Sequence, residues 1–141
     1  MKKILIQLFI VPAIILGIGS CSDKGGGGGG GGGGTTEANL AVTLNPPAGS
    51  TQPAAPQTDF PLTVTITSTM PPQGVTIDVK VAPDGSTTNF FTDSKSTTSA
   101  ITPFTITGTP AGVVCVTTVT VTSKTKPTNT VTLSYRYTRK P

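Results

Sequence analysis

The chain has 141 residues and a formal charge of +4, with only 11% charged residues, no histidine and no tryptophan. That length allows one domain with one core; the missing histidine removes the usual general base and metal ligand, and so small a charge gives no footprint for nucleic acid. Threonine and valine are abundant while charges are few, a balance that favours strands over helices.

Residues 1–21 read MKKILIQLFIVPAIILGIGSC. Lys2 and Lys3 form a positive end, an apolar run extends from Ile4 to Ile18, and the small residues Gly19 and Ser20 precede Cys21. This is the anatomy of a secretory signal peptide. A membrane-spanning helix needs about 20 apolar residues, and this run is shorter and is interrupted by Gln7 and Pro12. The quartet Ile18-Gly19-Ser20-Cys21 resembles the lipobox of bacterial lipoproteins. The resemblance implies cleavage before Cys21, lipidation of its thiol and attachment to a membrane through the acyl chains. Each buried methylene contributes about 0.8 kcal/mol, so several chains on one residue anchor a protein durably. Ser22, rather than an aspartate, follows the cysteine; in the sorting rule of such lipoproteins this implies the outer membrane, with the surface or periplasmic side left open. Loss of Lys2 and Lys3 with the leader reduces the net charge from +4 to +2.

Ten consecutive glycines, Gly25 to Gly34, come next. A phosphate-cradling loop would need a strand before them and a helix after them, whereas Lys24 precedes and Thr35-Thr36-Glu37 follows. Their backbone freedom makes them a spacer, with a reach of roughly 17–19 Å. The expected organisation is therefore a signal peptide over 1–20, a lipidated cysteine and flexible tether over 21–36, and a domain over 37–141.

Within the domain, apolar and polar residues alternate in seven short blocks: 39–45, 61–68, 74–82, 87–93, 99–107, 112–123 and 129–138. Their number and spacing predict a single seven-stranded antiparallel β-sandwich. The period of two assigns inward faces to Leu40, Val42 and Leu44; to Leu62, Val64 and Ile66; to Val75, Ile77, Val79 and Val81; and to Val131, Leu133, Tyr135 and Tyr137. Between the first two blocks, the proline-rich stretch from Asn45 to Asp59 reads as a long surface loop or an extended crossover. Two blocks break the alternation. Ile101 and Phe104 have opposite parity around Pro103, which predicts a bulge or a sheet-switching bend. Val113, Cys115, Val119 and Val121 share a face while Val114 and Val116 oppose them, so either a bulge lies near Thr117 or both faces are covered. Cys115 reads as a small buried hydrophobe, without the electropositive setting of a reactive thiol.

The segment FTITGTPAGVVCVTTVTVTS, 104–123, resembles the corner between the fifth and sixth strands of bacterial immunoglobulin-like and fibronectin type III-like domains, with Gly108, Thr109, Pro110, Ala111 and Gly112 as its turn. The resemblance implies an immunoglobulin-like sandwich used for binding, adhesion or spacing. Val113 stands where such domains often carry an aromatic residue.

Little in the sequence points to catalysis. Glu37, Asp59, Asp78, Asp84 and Asp93 are scattered without cluster spacing, and Asp84 sits in a Pro-Asp-Gly turn signal. Ser123 and Lys126 match an S-x-x-K spacing but fall in a hairpin loop without the companion motifs of that chemistry. The threonine rows TVTIT, TVTVT and TVTLS fit the solvent face of a twisted sheet. The adjacent rings Phe90 and Phe91 are the best candidates for ligand contact, because alternation sends one of them outward unless a loop covers it. The expected protein is thus a non-enzymatic envelope lipoprotein without cofactors. Its partners are the membrane, through Cys21, and a protein or glycan ligand. The alternative is a structural subunit, pilin-like or periplasmic, whose sheet edges pair with a neighbour.

Overall fold

The computed structural model describes residues 36–141, and among them there is no helix. Seven strands follow one another: β1 (Val42–Asn45), β2 (Phe60–Ile66), β3 (Val75–Pro83), β4 (Phe91–Thr97), β5 (Ile101–Ile106), β6 (Val114–Ser123) and β7 (Thr130–Thr138). They form two antiparallel sheets, ordered β1-β2-β5 and β4-β3-β6-β7. Apolar side chains from both sheets share one buried cluster, the arrangement of a β-sandwich.

The inward rows follow the period of two. Leu62, Val64 and Ile66 of β2 and Val75, Ile77, Val79 and Val81 of β3 are buried, while their threonine neighbours are half-buried. On β7 only Tyr135 and Tyr137 are fully covered, and Val131 and Leu133 lie at the margin of the core. The outer face of the larger sheet is hydroxyl-rich. Thr122 bonds Thr130 across β6 and β7 at 3.0 Å, and Thr120 approaches Thr132 at 3.3 Å, the side-chain pairing that favours threonine on a solvated sheet.

Both expected irregularities are absent. The β2–β5 register runs unbroken from Phe60↔Ile106 to Thr65↔Ile101, with Pro103 opposite Thr63. Pro103 causes no bulge because β5 is an edge strand. The Ile66 N–H donates to the Ala100 carbonyl, and alternation from there points the backbone groups of residue 103 away from β2, where a missing N–H breaks no ladder bond. Ile101 and Phe104 then sit on opposite faces, Ile101 at 62% exposure and Phe104 buried. Likewise β6 stays in register with β3 and β7 through Thr117. Thr117 takes an inward place in the row Cys115, Thr117, Val119, Val121 and Ser123, while Val113 and Val114 are exposed and Val116 is half-buried. The expected grouping of Val113 with the inward face is therefore corrected.

Strand boundaries also move: β1 begins at Val42, three residues into its expected block. The fourth strand begins at Phe91, four residues later than its expected block, and runs on through Asp93, Ser94, Lys95 and Ser96. Those polar residues carry no apolar alternation, and they are strand because they pair with β3 in continuous register from Thr97↔Val75 to Phe91↔Val81. The proline-rich stretch crosses from β1 to the far sheet and runs parallel to β7. The N–H groups of Gly49, Gln52 and Ala55 donate to the carbonyls of Ser134, Arg136 and Thr138, and those of Arg136 and Lys140 donate to the carbonyls of Ser50 and Ala55. It is an edge strap.

Candidate binding surfaces

Cys21, the expected lipidation site, lies outside the described residues. Phe90 and Phe91 lie at the start of β4, both half-buried and packed against the margin of the core. Phe91 pairs with Val81, yet the Phe90 N–H also donates to the Val81 carbonyl at 2.9 Å. Two residues facing one is the geometry of a bulge, which relaxes strict alternation. It lets both rings approach the core without either being fully exposed.

From Phe91 onward the inward-leaning positions of β4 are Asp93, Lys95 and Thr97, all half-buried. Lys95 closes the seam between the sheets on this side. Its Nζ donates to the Pro103 carbonyl on β5 at 2.7 Å, lies 4.3 Å from the centre of the Phe104 ring, and stands 3.9 Å from an Asp93 carboxylate oxygen. The aliphatic stem bridges the layers while the ammonium finds three partners at the rim. Both charged side chains keep more than a third of their surface exposed, so the ion pair itself adds little. Lys95→Ala is expected to cost about 1 kcal/mol and to increase self-association, read by chemical denaturation and by sedimentation velocity at rising concentration.

At the corner between β5 and β6, Thr109 is buried, and its hydroxyl lies 2.9 Å from the Tyr137 hydroxyl. Arg139 donates to the Thr109 carbonyl at 3.1 Å. The corner is therefore stitched from β7, by an aromatic residue far along the chain from Val113. Phe60 stacks obliquely on Tyr137 with centroids 4.5 Å apart, and Tyr135 lies 6.0 Å away, within the range in which aromatic pairs attract. Burial pushes the Tyr137 phenol well above its ordinary range; the Thr109 hydroxyl opposes this, while Cys115 and Tyr135 add to it. Burial likewise raises Tyr135, against a smaller opposing effect of the nearby Thr117 hydroxyl. Neither the Tyr135 hydroxyl nor the Thr117 hydroxyl has a hydrogen-bond partner among the described residues. A half-open cavity of about 150 Å³ lies beside these rings under the strap, bordered by Pro46, Gln52, Pro53 and Phe60.

The opposite end of the domain, where the chain enters, is organised by Asn129. Its Nδ2 donates to Glu37 Oε1 at 2.6 Å and to the Ala38 carbonyl at 2.9 Å, and its Oδ1 accepts from the Leu40 N–H at 2.9 Å. Both donors and the acceptor of one amide are engaged. A second cavity, of about 340 Å³, is bordered there by Glu37, Met70, Pro71, Pro72 and Thr125. Sequence reasoning missed Asn129, whose only signal is a turn-type residue after Lys-Pro-Thr, and it missed Lys95, which lies beyond the expected end of its strand.

The residues weighed for chemistry have local structural roles. Ser123 is buried, and its Oγ accepts from the N–H groups of Thr125 and Lys126, capping the β6–β7 turn. Asp84 pairs with Arg136 at 3.3 Å on the surface. Cys115 is fully buried, with burial raising its thiol pKa and its Sγ directed at the Val113 carbonyl at 3.6 Å. Among the described residues no three His, Cys, Asp or Glu side chains converge, and no helix is long and apolar enough to cross a membrane. The chain matches no family model, and the searches of curated proteins and of solved structures likewise return no match.

Proposed function

We propose that this protein is a lipid-anchored component of a bacterial cell envelope, attached to the outer membrane through Cys21, that presents an immunoglobulin-like sandwich to a protein or glycan ligand. The strand orders β1-β2-β5 and β4-β3-β6-β7, with the Gly108 to Gly112 turn joining the sheets, support the immunoglobulin-like reading. The positive end, apolar run and Ile18-Gly19-Ser20-Cys21 quartet support the anchor.

The observation that favours presentation over strand-paired assembly is the state of the four sheet edges. β1 has four residues and runs into Pro46 and Pro47. β4 leans Asp93 and Lys95 inward. β5 carries Pro103, whose outward carbonyl is taken by Lys95. β7 is covered by the strap, which contains Pro53 and Pro56. Short strands, inward charges, prolines and covering segments are the devices that keep sheets from pairing edge to edge. The domain is thus suited to acting as a single copy through its loops and the aromatic margin at Phe90 and Phe91.

Protease shaving of intact producing cells tests the reading, with Cys21→Ala as control. Cys21→Ala is expected to abolish lipidation and, with it, cleavage before residue 21, read as loss of acyl labelling and a larger leader-bearing band, while the wild-type domain is clipped from whole cells. A wild-type domain protected until the outer membrane is broken would place it on the periplasmic side and bring the structural-subunit reading forward. A wild-type protein that fractionates as soluble would overturn the anchor.

A further inference from the structure

Resting on the reading that Cys21 tethers the chain, we infer that the Asn129 amide is a mechanical clasp, which keeps tension on the tether from peeling β1 out of the domain. Any pull from the N-terminal side arrives first at residues 37–40, before β1 begins. Beyond the Ala41 carbonyl, which accepts from the Thr67 N–H at 2.8 Å and the Ser68 N–H at 3.4 Å, β1 resists it with the four pairs Val42↔Ile66 to Asn45↔Thr63. The three hydrogen bonds of Asn129 lie upstream of those pairs and tie the entering chain to the opposite sheet, at the β6–β7 turn.

The turn is built to hold that position. The Asn129 N–H donates to the Lys126 carbonyl at 2.8 Å, and its carbonyl accepts from the Ser123 N–H at 3.0 Å. Ser123 Oγ takes two further N–H groups of the same turn, and the Lys124 N–H donates to the Gly74 carbonyl at 3.0 Å at the start of β3. Leu40 is 7% exposed, so drawing out the entry segment also uncovers core. Asn129 is itself only 9% exposed, which shields its bonds from competition by water. A pull along the entry segment meets the bonds at Glu37, Ala38 and Leu40 before it reaches β1.

Single-molecule force spectroscopy on the full, unlipidated chain tests this. One handle is placed on Cys21 and the other on a Thr87→Cys substitution in the exposed β3–β4 loop, leaving Cys115 buried. In the control geometry the handles sit on Thr87→Cys and on a cysteine appended after Pro141, with Cys21→Ser, so the force bypasses residues 37–40. Asn129→Ala is expected to raise the unfolding rate under load roughly tenfold or more through the Cys21 geometry, and by a clearly smaller factor in the control geometry. Equal acceleration in both geometries would make Asn129 a general stabiliser and overturn the clasp, as would no acceleration in either. Should Asn129→Ala fail to fold, Glu37→Ala removes one of the three bonds, and the same directional contrast is expected on a smaller scale. Because the force is applied in vitro, failure of the clasp is separate from failure of the anchor, which cell fractionation reads.

Discussion

Tyr137→Ala is expected to destabilise the domain by about 3–5 kcal/mol, enough to leave much of it unfolded at ambient temperature when a domain of this size holds about 5–15 kcal/mol in total. Tyr137 is 1% exposed and packs against Phe60 and Tyr135 at the end of the core where the strap crosses. Its removal deletes the largest fully buried side chain and strands the Thr109 hydroxyl. Tyr137→Phe separates the two contributions: it keeps the ring and loses only the hydroxyl pair, at a cost of about 1–3 kcal/mol. Urea denaturation of both variants measures the difference. Equal losses would mean that the hydroxyl contact, rather than packing, dominates.

The same residues set the alkaline limit of stability. The chain has two tyrosines, both buried, and both phenols are pushed above their ordinary value of 10.0. A phenol raised in the folded state stays neutral there while its unfolded counterpart ionises. The stabilisation is therefore complete below pH 10 and is lost as pH rises above it toward the folded-state values. Tyrosinate absorbance should accordingly appear together with the loss of β-sheet circular dichroism, in one cooperative step. Gradual ionisation near pH 10 with the fold intact would show that the rings reach solvent.

Gly74→Ala is expected to be nearly as damaging, at about 3 kcal/mol or more. Gly74 has φ +77°, and an added Cβ would lie 2.3 Å from the Thr97 carbonyl oxygen. Its own N–H and carbonyl are engaged with Pro71 and Lys124 at the entrance to β3, so the backbone has no free direction in which to relax. Gly85 shares the positive φ but faces open space, and Gly85→Ala should cost only about 1–2 kcal/mol. Thermal melts of the two variants decide the point: comparable shifts would mean that backbone conformation alone, without the steric contact to Thr97, sets the cost.

The central strands were legible because sequence and burial share one period there. In β2 and β3 every second residue is apolar, and every such residue is covered, so alternation alone fixed which face goes inward. Legibility failed at the edges. β4 is strand through Asp93-Ser94-Lys95-Ser96 because β3 offers it an unpaired ladder, a condition that no local pattern encodes. The expectations of a bulge or bend at Pro103, and of a bulge or two covered faces near Thr117, failed for a related reason. They assumed that each apolar side chain must be buried, whereas Ile101 and Val114 are left on the surface and Thr117 is taken inside.

The amino-acid order by itself determined the all-β class, the seven strands and the apolar rows of the core, since these follow from side-chain period and turn residues within a few positions. It also carries the Ile18-Gly19-Ser20-Cys21 quartet and the glycine tract as purely local patterns. The tertiary structure alone decided what joins residues far apart in the chain: the strap on β7, Lys95 across the seam to Pro103, Thr109 under Tyr137, and Asn129 holding Glu37, Ala38 and Leu40. A polar side chain finds such a partner only after the sheets have packed. Until then water satisfies its donors and acceptors equally well, and the sequence around it bears no mark of the bond it will make.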